Sequence, residues 1–343
     1  MTALIVPARP GRDGSLRPVP WRRMAWVTWR QHRAALGGVA APLGALAVWL
    51  WLAGLQAHHA YMAAIACHPA SSVACGSLID DFNNTYGSRA RVAAVLLQVL
   101  PGLVGAFAGA PVLARELEAG TFRYTWTQGF GRWRWTLAKL ASLAVVVAVA
   151  AGAFSLLFSW YYEPLFAEGN QTPLAPTVFD LRGVAFAAWT LAAFAVGALA
   201  GMLIRRVVPA MAATLAVYAA LASVVGVFLR QRYAAPLVTS NLNVPGSAWI
   251  MSRWWTEGGT FAFAGRPPLS LGLQICPPSA VGPGKPPPGS ITQCFVQHGY
   301  TQWTSYQPGS RFWSFQWIEG GWLLALSLLL IAATVWLVRR RAT

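Results

Sequence analysis

Charge is what this 343-residue chain has least of: 10% of its residues are charged, against 56% hydrophobic. Ten residues are acids, and of the 26 basic residues only Lys139 and Lys285 are lysine. Leu140 and Pro286 follow those two lysines, so the Lys-Ser or Lys-Thr step that closes a phosphate-binding loop is missing. The chain therefore carries no Walker A sequence and, read alone, is no nucleotide hydrolase. GxSxG, HExxH and Ser-x-x-Lys patterns are missing too, which removes the common hydrolase chemistries. Asp80-Asp81 is the one adjacent acidic pair, and beside a membrane it reads as a solvated loop.

The scarcity is sharpest in six apolar stretches, 34–55, 92–113, 140–160, 183–204, 207–229 and 320–338, none of which holds an Asp, Glu, Lys or Arg. A helix rises about 1.5 Å per residue, so roughly 20 apolar residues match a hydrocarbon core of about 30 Å. One Asp, Lys or Arg at mid-span costs on the order of 2.5–3.5 kcal/mol. The pattern predicts an all-α polytopic membrane protein with six transmembrane helices, whose chemistry does not run through ionised groups inside the bilayer. Proton- and sodium-driven carriers place such groups in their spans. Eighteen tryptophans agree with this, since Trp160, Trp317 and Trp336 fall near stretch ends, where an amphipathic ring suits the headgroup layer.

The basic residues orient the chain. Arg9, Arg12, Arg17, Arg22, Arg23, Arg30 and Arg33 precede the first stretch, with Asp13 as the one acid among them. Arg115, Arg123, Arg132, Arg134 and Lys139 lie between stretches two and three, Arg205 and Arg206 join four to five, and Arg339, Arg340 and Arg341 follow six. With six alternating spans, all four segments share one side, which the positive-inside rule makes cytoplasmic. Both termini are then cytoplasmic. The short loops opposite are poor in base: Asp80 and Asp81 balance Arg89 and Arg91, while Glu163, Glu168 and Asp180 outnumber Arg182. Segment 230–317 carries six bases against Glu257, but it exceeds the roughly 60-residue length over which the rule counts. A net charge of +16 arranged beside spans, not along one soluble face, points to a lipid bilayer as partner and not to nucleic acid.

The expected organisation is a cytoplasmic arm 1–33, with 1–23 disordered and 24–33 an interfacial helix. Spans one to five occupy 34–229 and include a cytoplasmic element at 114–136. An extracytoplasmic loop or cap follows at 230–317, then span six and a basic tail at 318–343. The first stretch is too long for a signal-peptide core and no cleavage site follows it, so the arm reads as retained, with Met24 as an alternative start. Cys67, Cys75, Cys276 and Cys294 all fall in loops assigned outside, two to a loop, which favours two intraloop disulfides. A metal site is the alternative, because His58, His59 and His68 flank the first pair and His298 follows Cys294. The ligand spacing is irregular for one. Gly105-to-Gly109 and Gly197-to-Gly201 match GxxxG, a weak signal in so Gly- and Ala-rich a chain.

One segment carries a more specific message. Gly109-Ala110-Pro111-Val112-Leu113-Ala114-Arg115-Glu116-Leu117-Glu118-Ala119-Gly120-Thr121 is followed by Thr125-Trp126-Thr127-Gln128, Arg132 and Lys139. This resembles the permease subunits of ABC-type exporters in the type-two permease superfamily, where an Arg-Glu-x-Glu-x-Gly-Thr element leads through a Thr-Gln turn and a basic residue into the third span. Phe179-Asp180-Leu181-Arg182-Gly183, Ile204-Arg205-Arg206-Val207-Val208-Pro209 and Gln316-Trp317-Ile318-Glu319 resemble an actinobacterial branch of it. The resemblance implies ATPase coupling through Arg115, Glu116, Glu118, Gly120, Thr121, Thr127, Gln128 and Arg132. It also implies an ABC ATP-binding subunit that carries ATP and Mg, a second permease copy, and export of a hydrophobic or amphipathic compound. An ATPase-independent channel or scaffold is the alternative. If 116–123 is helical, Glu116 and Arg123 share a face, and Gly120-Thr121 can break the helix.

Overall fold

A computed structural model describes residues 21–68, 72–120, 132–169, 171–276 and 290–341, with the backbone alone for 21–36, 39, 40, 132, 290 and 341. Six long helices dominate: α1 (Trp21–Ile65), α2 (Val73–Glu118), α3 (Arg132–Ala167), α4 (Gly183–Ile204), α5 (Val207–Arg232) and α6 (Phe312–Arg341). Among the described residues five helices, α2 to α6, are long and apolar enough to cross a membrane. The expected interfacial helix 24–33 is not a separate element. It runs without a break into the first apolar stretch, and α1 is about 67 Å long at 1.5 Å per residue. Residues 21–23, expected to be disordered, form its first turn.

α4 is the central helix, with 61% of its apolar window buried, against 11% for α5. Its sequence explains how it can be surrounded. Small residues recur all round it, so neighbouring backbones approach closely. Gly105 and Gly109 of α2 press against Ala193 and Phe194 of α4, where an added Cβ would lie 2.5 Å from each backbone carbonyl oxygen. Gly197 abuts Gly105 and Ala110, and Gly201 abuts Ala110 and Ala114. The two GxxxG patterns therefore meet in one seam. Within it, Gly105–Gly109 of α2 forms a π turn, a local widening frequent at functional positions.

The all-α expectation does not survive. The segment after α5 contains a four-stranded antiparallel sheet: β1 (Leu237–Thr239), β2 (Trp249–Glu257), β3 (Thr260–Ala264) and β4 (Tyr300–Gln307), in the order β1-β4-β2-β3. Aromatic and hydroxyl side chains fill β2 and β4, and they fit a pleated, half-buried surface. Gly258 and Gly259, both at positive φ (55° and 85°), close the β2–β3 hairpin in two residues. Trp255, Phe263, Phe295 and Tyr300 form a small core, beside which the Cys276–Cys294 disulfide ties the end of helix Leu269–Ile275 to helix Ser290–Gln297. Cys67–Cys75 bridges α1 and α2. The sheet is anchored to the helices: Gln307 donates to the Ala234 carbonyl at 2.7 Å, Arg311 to that of Ala235 at 2.6 Å, and Thr172 to that of Ser247 at 2.7 Å. Both disulfides thus lie at the sheet end of the bundle.

Candidate functional site

The end of the bundle opposite the sheet holds the charged element singled out in the sequence. α2 continues through Arg115, Glu116 and Glu118 and stops at Ala119, with Gly120 at φ 68° taking the left-handed position that ends a helix. Glu116 turns inward, and its Oε1 lies 2.6 Å from Lys139 Nζ, which also donates to the Val112 carbonyl at 3.0 Å. The Lys139 ammonium is almost fully buried, 4.9 Å from the centre of the Trp135 ring. A buried cation without a counter-charge costs several kcal/mol, so Glu116 is what allows α3 to bury Lys139. Glu118 Oε2 accepts from the Val207 N–H at 3.0 Å. That amide is the first of α5 and has no partner within its own helix, and a carboxylate there also suits the positive end of the helix dipole.

The element is therefore welded to two other helices. Glu116 ties α2 to α3, Glu118 ties it to α5, and Arg115, Ala119 and Gly120 stay exposed. Thr121, Thr127 and Gln128 lie outside the described residues, as does the side chain of Arg132, whose backbone starts α3. The pairing of Glu116 with Arg123 lies outside them too. Sequence reasoning noted Lys139 as a basic residue leading into the third span, but missed it as the partner of Glu116.

A second constellation lies at the sheet end, just beyond the apolar stretches. Arg230 closes α5, 1% exposed, with its guanidinium 4.5 Å from the centre of the Phe179 ring. Its Nε donates to Glu319 Oε2 at 3.0 Å and its Nη2 to Glu319 Oε1 at 2.8 Å, while Nη2 also pairs with Asp180. Glu319, buried in α6, further accepts from Trp189 Nε1 of α4 at 2.8 Å and from the Tyr233 hydroxyl at 3.1 Å. Gln316, one turn earlier, accepts from the Ala185 N–H at 2.8 Å and donates to the Phe179 carbonyl at 3.1 Å. The segments around Phe179-Asp180 and Gln316–Glu319 were quoted for their pattern alone. The fold brings them together.

The metal alternative at the cysteines narrows in the same way. Cys276, Cys294 and His298 hold their ligand atoms within 4.8 Å of one another, but both sulfurs are spent on the disulfide. His298 Nδ1 is 2.8 Å from the Cys294 carbonyl of its own helix. In the first pair, His58 is turned away, stacked on Trp160 at 4.7 Å and bonded through Nδ1 to the Gly54 carbonyl.

A family model described as ABC-2 membrane transporter related matches residues 40–230, more than half of the chain. The chain belongs to that family. No curated protein and no solved structure matches it. As a member of the ABC-2 membrane transporter related family the chain is an integral membrane component of transport, and the family implies an ABC ATP-binding partner. The matched region holds the glycine seam and the Arg115–Gly120 element and ends at Arg230, leaving the sheet and α6 outside it.

Proposed function

We propose that this chain is the membrane-spanning permease of an ATP-driven exporter of the actinobacterial branch, with ATP and Mg bound on separate ABC subunits and a second permease copy completing the path. In this reading α1 supplies the first of six spans, and both termini are cytoplasmic in a bacterial plasma membrane. The end bearing Arg115 faces the ATPase, and the sheet forms a cap outside. Arg115, Gly120, Thr121, Thr127, Gln128 and Arg132 couple the permease to the ATPase. The cargo is a hydrophobic or amphipathic compound, such as an antibiotic, lipid or peptide.

The observation that carries the reading is the welding of the α2 end. A partner that pushes on exposed Arg115 and Gly120 moves α2, and through Glu116 and Glu118 it moves α3 and α5 with it. The same geometry chooses the experiment. Reversing Glu116 or Glu118 breaks contacts inside the permease, so neither tests docking. Arg115→Glu does, because Arg115 is exposed. In nanodiscs with the cognate ATP-binding subunit, Arg115→Glu should lower permease-stimulated ATP hydrolysis at least tenfold, about 1.4 kcal/mol or more. Its thermal unfolding should remain that of the parent. Full stimulation by Arg115→Glu, or no ATPase that co-purifies, would put the channel or scaffold reading ahead.

A further inference from the structure

Breaking the Cys276–Cys294 bond would free two thiols beside a histidine. Cys294 and His298 stand one helical turn apart at the end of helix Ser290–Gln297, where the His298 backbone N–H donates to the Cys294 carbonyl at 3.1 Å, so their side chains share a face. Cys276 caps the end of helix Leu269–Ile275 across the bond. One ligand atom from each of the three lies within 4.8 Å of the other two, and among the described residues this is the one such group of His, Cys, Asp or Glu. His298 Nδ1 is 3.8 Å from Cys294 Sγ and 2.8 Å from the Cys294 carbonyl oxygen. That oxygen can only accept, so Nδ1 carries the proton and Nε2 keeps the lone pair a metal needs. The two cysteine Cα atoms are 6.2 Å apart. Sulfurs bound at about 2.3 Å to one tetrahedral ion stand roughly 3.8 Å from each other, which rotation about the Cα–Cβ bonds can supply across that gap.

We propose that the sheet segment carries a redox-gated site for one zinc ion, with Cys276, Cys294 and His298 as protein ligands and water in the fourth position. A dithiol donor reaching the segment from solvent opens it. His298 is exposed and Cys294 half-buried, while Cys276 is 8% exposed, so Cys294 is the sulfur the donor meets. The donor's thiolate attacks Cys294 Sγ, and the bond to Cys276 breaks with its electron pair leaving on Cys276 Sγ. The donor's second thiol then displaces Cys294. The donor departs as a disulfide, oxidised by two electrons, and both cysteines are left as thiols. Zinc replaces the two thiol protons, which pass to water, and takes the imidazole lone pair. Two thiolates and one imidazole favour such a thiophilic ion over calcium or magnesium. The ion then does what the bond did, tying helix Leu269–Ile275 to helix Ser290–Gln297 beside the core of Trp255, Phe263, Phe295 and Tyr300. The segment is held by a covalent tie when oxidised and by a metal when reduced, never by both. Cys67–Cys75 is the internal contrast, since His58 near it is stacked on Trp160 and no third ligand among the described residues is gathered there.

The full chain in nanodiscs, reduced with a phosphine and then freed of it under anaerobic conditions, tests this with zinc alone. One tightly held zinc per chain is expected after reduction and none before it. Bound zinc should shield Cys276 and Cys294 from alkylation, mapped by mass spectrometry, and leave the alkylation of Cys67 and Cys75 unchanged, a readout that needs no variant. His298→Ala should weaken binding at least about tenfold. Replacing Cys67 and Cys75 together by serine should leave it intact. No zinc on the reduced chain, equal zinc on the oxidised chain, shielding of Cys67 and Cys75 instead, or full affinity in His298→Ala would each overturn the proposal.

Discussion

Three buried charges sit one residue outside the apolar stretches that define the sequence pattern: Lys139 before 140, Arg230 after 229 and Glu319 before 320. A stretch drawn to stop at a charge makes every charge look peripheral. The helices do not stop there: α3 begins at Arg132 and α6 at Phe312, so Lys139 and Glu319 lie inside them, past their first turns. Composition cannot show this, because the partners, Glu116 and Asp180, are 23 and 139 residues away from them in the chain. The Glu116–Lys139 pair makes a clear test. Glu116→Gln alone strands the buried ammonium and should cost about 3 kcal/mol, as should Lys139→Met alone. The double substitution should regain much of that loss, read as midpoints of unfolding in detergent. Asp180 gives the pH dependence. Its carboxyl sits near 8 when folded, against about 3.9 in an unfolded chain, so the folded state holds the extra proton between those values. Stability is full below about pH 4 as far as this group is concerned and falls as pH rises towards 8. A melting temperature that declines from pH 6 to 9 in the parent, and stays flat in Asp180→Asn, is the expected result.

At the scale of elements, periodicity and length found the apolar helices, and turn chemistry found little. The GxxxG matches gave a weak signal because the sequence holds 32 glycines and cannot say which of them face each other. The structure pairs Gly105, Gly109, Gly197 and Gly201 in one crossing between α2 and α4. There a side chain meets backbone, which cannot swing aside. Gly197→Leu should therefore destabilise the bundle by about 1–3 kcal/mol or more, whereas Gly152→Leu, with open space around its position, should change little. Thermal unfolding of the purified protein separates the two. The sheet was missed for a different reason. Segment 230–317 was expected only as a loop or cap, and the residues of Trp249–Glu257 and Tyr300–Gln307 were not weighed as strand.

For the whole molecule, the family match and the distribution of arginine lead to the same picture, and orientation is the part that labelling decides. All four cysteines are bonded, so an introduced thiol reports alone. Asn243→Cys, exposed at the sheet end, should react with a membrane-impermeant maleimide in intact cells, and Arg206→Cys, at the opposite end, should not. Reaction of Arg206→Cys would invert the proposed topology.

The network around Glu319 also bears on how the protein is made. α4 and α5, joined by Arg205 and Arg206 alone, leave the ribosome well before α6. Until α6 arrives, Trp189 and Arg230 have lost their shared carboxylate, and Ala185 has lost the Gln316 side chain that accepts its amide. The last helix synthesised is thus the one that completes the polar interior of those made earlier. A nascent chain halted before Phe312 would carry a guanidinium lacking its principal acceptor.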